Sequence, residues 1–114
     1  MQIRKTYHEV NPELLYAEVR DFTIKHGASL GENKQETYTL PNESASFVSR
    51  GTLTFKVKGA GKEDKDCLRA HIVGSARGET KLMLDVDEKL FSKGKVSALM
   101  EDLDFIFGSN EIEE

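Results

Sequence analysis

Cys67 and His71 are the pair in this chain that most invites a chemical reading. A thiol and an imidazole can share a metal ion or generate a thiolate nucleophile, and alternation along "DCLRAHIVG" predicts that both lie on one face of a strand. That spacing, however, spans about 13 Å at roughly 3.3 Å per strand residue. Zinc–ligand bonds are about 2.0–2.3 Å, so neither a shared ion nor direct Cys–His activation fits. His26 closes an amphipathic stretch just before Gly27, where an imidazole can meet terminal helix carbonyls; as a general base it lacks a visible partner acid. His8 carries no assignable role. Asp85 and Asp87 share a strand face, while Glu101, Asp102 and Asp104 lie off an apolar helical stripe. Paired acids for glycoside chemistry need a set separation across a cleft, so a solvated acidic surface is the simpler reading. "GAGK" (59–62) imitates a phosphate loop but lacks the earlier glycine and the following Ser or Thr, and it joins two strands. Dinucleotide, zinc-protease, nucleophile-elbow and paired C-x-x-C motifs do not occur. The sequence therefore assigns no catalytic residue, metal ligand or cofactor, and leans against an enzyme.

Length and composition narrow the setting. The 114 residues suit one domain with a modest core, since 38% are hydrophobic, 32% are charged and Trp is absent. One cysteine rules out an intrachain disulfide framework and a cysteine-based zinc cluster. That usage, with no leader-like or membrane-length apolar run, predicts a soluble, cytoplasmic protein without a membrane partner. A net charge of −4 argues against a dedicated nucleic-acid binder.

The elements that must position these groups follow from periodicity and punctuation. "QIRKTYHEV" (2–10) reads as a first strand with apolar points at Ile3, Tyr7 and Val10. Asn11 as cap, Pro12 at the first turn and Gly27 as left-handed stop frame a helix with Leu15, Tyr16, Val19, Phe22 and His26 on one stripe. "QETYTL" (35–40) is a short strand ended by "PNES". "SFVSRGTLTFKVK" (46–58) alternates clearly, with Gly51 marking a bulge. Segment 66–87 supplies two more strands around a Gly turn, with even-numbered side chains inward. A last helix runs from about Ser92 to Phe107, with Val96, Leu99, Met100, Leu103, Ile106 and Phe107 as its apolar stripe.

This order predicts an α+β two-layer sandwich: an antiparallel sheet of about five strands with two helices on one face, connected β-α-β-β-β-β-α. Residues 1–108 form the single domain and 109–114 an acidic, frayed tail. In element order the chain resembles the helix-grip architecture, one or two strands shorter. That resemblance implies a cavity between the sheet and the final helix, hence an alternative small-molecule or enzymatic pocket.

Strand parity also sorts charge. Arg50, Lys56, Lys58, Arg69, His71, Arg77 and Lys81 gather on the outer sheet face, offset nearby by Asp85 and Asp87. The helices and tail are acidic. Such a layout allows weak RNA or polyanion binding, although the face lacks aromatics for base stacking. It also allows the basic side of one copy to meet the acidic side of another copy or of an unlike protein, and the simplest reading is that it keeps the chain soluble. Phe105 falls opposite the apolar stripe, beside Glu101 and Asp102, and is the candidate contact anchor. The leading expectation is a small non-enzymatic binding or interaction domain, self-associating or joined to a protein partner.

Overall fold

The computed structural model describes residues 1–40, 43–58, 63–74 and 78–112, with side chains at all of these except 39, 40 and 43–47. The chain runs β1 (Gln2–His8), α1 (Pro12–Lys25), β2 (Ser29–Leu40), β3 (Glu43–Lys58), β4 (Asp64–Gly74), β5 (Glu79–Val86) and α2 (Lys93–Phe107). Its strands form one antiparallel sheet in the order β1-β5-β4-β3-β2. The expected α+β class and element order are thus present. Among the described residues strand β3 pairs with β4 from Ser49 to Lys58 and with β2 from Glu43 to Lys56. No helix among the described residues is long and apolar enough to cross a membrane.

Local chemistry explains the helix ends. The Asn11 side chain accepts a hydrogen bond from the Glu13 amide at 2.8 Å, and Pro12 opens α1. Gly27, at φ 100°, takes the left-handed conformation that ends it. Ser92 caps α2 by accepting from the Lys95 amide.

Alternation then decides which sheet face is dry. Leu68, Ala70 and Ile72 of β4 and Leu82, Leu84 and Val86 of β5 are buried, whereas Arg69, Lys81 and Asp85 are exposed. Leu53 and Phe55 join them from β3, beneath Leu15, Tyr16 and Val19 of α1 and Val96, Leu99, Leu103 and Phe107 of α2. Burying those α2 side chains is worth roughly 1.5–3 kcal/mol each, gross. Two expected members of the stripe contribute less: Met100 is only partly buried, and Ile106 is 44% exposed at the stripe's edge in the last turn.

Three local expectations change. Gly51 pairs in register with Gln35 and Ile72, so it is not a bulge. It instead makes room for Tyr16, because a Cβ there would stand 2.5 Å from the ring. A register shift does occur where Phe55 pairs with Leu68 but Lys56 pairs with Asp66. Cys67 is the extra residue, and it turns into the core beside Leu68 instead of sharing the face of His71. Finally, residues 109–112 are docked, not frayed. The Ile112 amide donates to the Thr6 carbonyl at 2.8 Å, and the Asn110 side chain donates to the His8 carbonyl at 2.9 Å.

Candidate interaction surfaces

The outer face of the helix layer carries the most exposed large apolar side chain among the described residues. Phe105 is 90% exposed, on a helix whose opposite side is fixed in the core by Leu99, Leu103 and Phe107. The two helices run antiparallel: Glu18 of α1 lies beside Asp102 of α2, and Gly27 at the end of α1 lies beside Lys95 near the start of α2. One turn further along each helix stand two exposed apolar side chains, Leu14 of α1 (62% exposed) and Ile106 of α2 (44% exposed). Phe105 and Ile106 therefore form an exposed apolar pair on α2, bordered along that helix by the exposed acids Glu101 and Asp104. Asp102 leaves this border. It is half-buried between the helices, and its Oδ2 is buried without a hydrogen-bond partner. Burial first, then the neighbouring Asp102 and Asp21, push the Glu18 carboxyl above its ordinary value.

Charge that runs against the α2 dipole has local causes. Lys95 stands at the carbonyl end of α1, where a cation is favoured, and over the Phe91 ring at 5.7 Å. Asp104, near the unfavourable end of α2, is met by Lys5 at 3.3 Å.

Lys5 is the residue that sequence reasoning missed. It points inward from β1 between Ile3 and Tyr7, with its side chain only 16% exposed, and also reaches Glu111 at 2.7 Å. Burial alone would lower its pKa, but the hydrogen bonds and charges of Glu111 and Asp104 outweigh burial and raise it. Beside it the Tyr7 hydroxyl is buried without a partner. Burial, then the charges of Glu111 and Asp104, hold that phenol well above its ordinary value. The cluster locks the chain end onto β1. The visible signal was a lysine in the inward phase of Ile3 and Tyr7.

The outer sheet face is the second surface. Register places Thr6, Lys81, Val73, Arg50 and Glu36 in one row across the strands, and Arg4, Met83, His71, Thr52 and Lys34 in the next. Arg50, Lys58, Arg69 and Lys81 are exposed, His71 and Lys56 are half-buried, and Arg77 lies outside the described residues. Arg4 and Lys34, unanticipated, belong to the same face. Lys34 is paired with Glu36 at 2.8 Å and Lys56 with Asp66 at 3.8 Å. Arg4, Arg50, Arg69 and Lys81 form no ion pair among the described residues. Ile112 pairs with the outward Thr6 and adds an apolar group to this face. Here a groove of about 890 Å³ opens, with Val73, Met83 and Ile112 among its apolar lining, Arg4 and Lys81 among its cationic groups, and His71 and the paired Lys5 and Glu111 also on its wall.

Elsewhere the structure gives less chemistry. A cavity of about 940 Å³ at one end of the sheet is lined partly by Cys67, Arg69, Asp85 and Asp87. Burial raises the Cys67 thiol, which keeps it protonated near neutral pH. His26 stacks on Phe22 with ring centroids 4.0 Å apart, and its Nδ1 lies 3.0 Å from the Phe22 carbonyl. His8 is exposed, 3.6 Å from Glu9. The "GAGK" segment lies outside the described residues. Leu84 of β5 and Leu99 and Leu103 of α2 belong to one buried core cluster with Leu53 and Phe55 of β3, and none of these five lines the cavities described above or a smaller one beside Tyr16. Compared with protein-family models, curated proteins and solved structures, the chain matches none.

Proposed function

We propose that this chain is a protein-interaction domain that binds a partner through the outer face of its helix layer, with Phe105 as the anchor. The observation that carries this reading is a phenyl group 90% exposed on a well-packed helix. Fully burying such a side chain is worth roughly 1.5–3 kcal/mol, and that gain is left for a partner to supply. Ile106 widens the apolar centre, and Glu101 and Asp104 give it a polar border. An aromatic centre inside a polar rim is the usual anatomy of a binding hot spot. Because α2 is already ordered, little conformational entropy is lost when the patch is covered.

Site-directed photo-crosslinking tests the proposal. With p-benzoylphenylalanine in place of Phe105, illumination should give a discrete protein adduct in cells expressing the chain. The adduct should be lost in an Ile106→Asp background that retains the wild-type circular dichroism spectrum. The same photo-reactive group at the exposed Thr37, on the edge strand β2 at the far side of the sheet from β1, should not give it. Absence of any discrete adduct from position 105, or its persistence in the Ile106→Asp background, would overturn the reading.

A further inference from the structure

Resting on that reading, we infer that the partner is a second copy of this chain, which presents its outer sheet groove to the Phe105 patch in a head-to-tail contact. The two surfaces belong to opposite layers of one molecule, and their chemistries are complementary. The helix side offers a projecting apolar knob, Phe105 with Ile106, bordered by Glu101 and Asp104. The sheet side offers a recess of about 890 Å³ whose apolar lining includes Val73, Met83 and Ile112 and whose cations include Arg4 and Lys81, with the paired Lys5 and Glu111 also on its wall. Arg4 and Lys81 have no ion-pair partner among the described residues.

Dimensions agree as well. Glu101 precedes Phe105 by one helical turn, a Cβ separation of about 5–6 Å. On the sheet, Met83 lies directly opposite Arg4, and Lys81 is the next outward residue on the same strand. Opposed side chains there stand roughly 4.5–5.5 Å apart and diagonal ones about 7–8 Å. A ring seated over Met83 thus brings the carboxylate one turn earlier within reach of Arg4 or Lys81. The partner's helix covers a sheet face that is otherwise in water, completing a helix–sheet–helix stack. The pair keeps one unused groove on one copy and one unused knob on the other, so the contact is heterologous and assembly continues with concentration unless it closes into a ring.

Sedimentation velocity with complementary variants tests this arrangement. The wild-type chain should show a weight-average mass that rises above the monomer with concentration. Phe105→Ala removes the knob, and the double change Arg4→Glu with Lys81→Glu reverses the groove. Each should weaken association at least about 30-fold, the equivalent of a 2 kcal/mol hot spot, and each protein alone should remain monomeric. Mixed, the two should form a 1:1 dimer and nothing larger, because only one intact knob and one intact groove remain. A wild-type chain that stays monomeric to about millimolar concentration would overturn the inference, while crosslinking from position 105 still judged the interaction reading by itself. Loss of association with Phe105→Ala but not with the groove variant, or failure of the mixture to dimerise, would also overturn it.

Discussion

Tyr7 shows how a single side chain can set a limit on stability. Its hydroxyl is fully buried with no hydrogen-bond partner, beside the carboxylates of Glu111 and Asp104. A buried unsatisfied polar group costs about 1–3 kcal/mol, so Tyr7→Phe should raise the denaturant midpoint at neutral pH by about 1 kcal/mol of stability. The alkaline limb should change too. An unfolded tyrosine ionises near its ordinary value of 10.0, while folded Tyr7 stays protonated well above it. The native state then holds more protons, and stability falls as pH rises past that value. Lys5 acts in the same direction, since its raised folded pKa makes its contribution complete below 10.5 and lost as pH climbs through the folded value. Urea titrations from pH 8 to 11 should therefore show wild-type stability declining above about pH 10. The Tyr7→Phe protein should decline less steeply. Equal slopes for the two proteins would refute this account of Tyr7.

Elements whose periodicity is set by burial were legible in the sequence, and those set by a neighbour's shape were not. Leu68, Ala70, Ile72, Leu82 and Leu84 alternate because one sheet face is dry, and the structure keeps that parity. Asn11, Pro12, Gly27 and Ser92 announce helix ends through their own backbone chemistry, so the boundaries agree closely. Cys67 misled because a one-residue shift between β3 and β4 reverses its face, and nothing in "DCLRAH" encodes that shift. Lys5 was overlooked because its carboxylate partners, Asp104 and Glu111, lie almost a full chain length away. The candidate surfaces followed the same division. Phe105 was placed by helical angle alone, whereas the groove needed the register of β1, β5 and β4 and the docked Ile112. Gly51 is the instructive error at this scale. Its role is to admit the Tyr16 ring between α1 and β3, not to bend a strand. Gly51→Ala puts a methyl group 2.5 Å from that ring, a distance that forces α1 or β3 to shift. Overpacking of this kind typically costs about 1–3 kcal/mol. Thermal or urea unfolding should show a loss in that range, partly recovered when Tyr16→Leu is added; a neutral Gly51→Ala would contradict the packing described.

Across the whole molecule, the two-layer fold turns strand parity and helical angle into a separation of charge. A net charge of −4 conceals a cation-rich outer sheet and an acidic helix layer. Simple net-charge repulsion would push like copies apart, more strongly at low salt, whereas opposed faces attract when they meet in one orientation. Ionic strength separates the two cases. Screening shortens the range of exposed charges from about 10 Å at 0.1 M salt to about 3 Å at 1 M. It scarcely weakens apolar contact, which excluded salts such as sulfate strengthen. If Glu101 and Asp104 meet Arg4 and Lys81 across a head-to-tail contact, raising sodium chloride from about 0.05 M to about 0.5 M should lower the weight-average mass at fixed protein concentration. Replacing chloride by sulfate at equal ionic strength should partly restore it through the apolar centre at Phe105. The Arg4→Glu, Lys81→Glu protein mixed with Phe105→Ala should follow the same trend as a simple dimer. A mass that instead rises steadily with sodium chloride would mean that like-charge repulsion governs the encounter and that the two faces do not recognise each other.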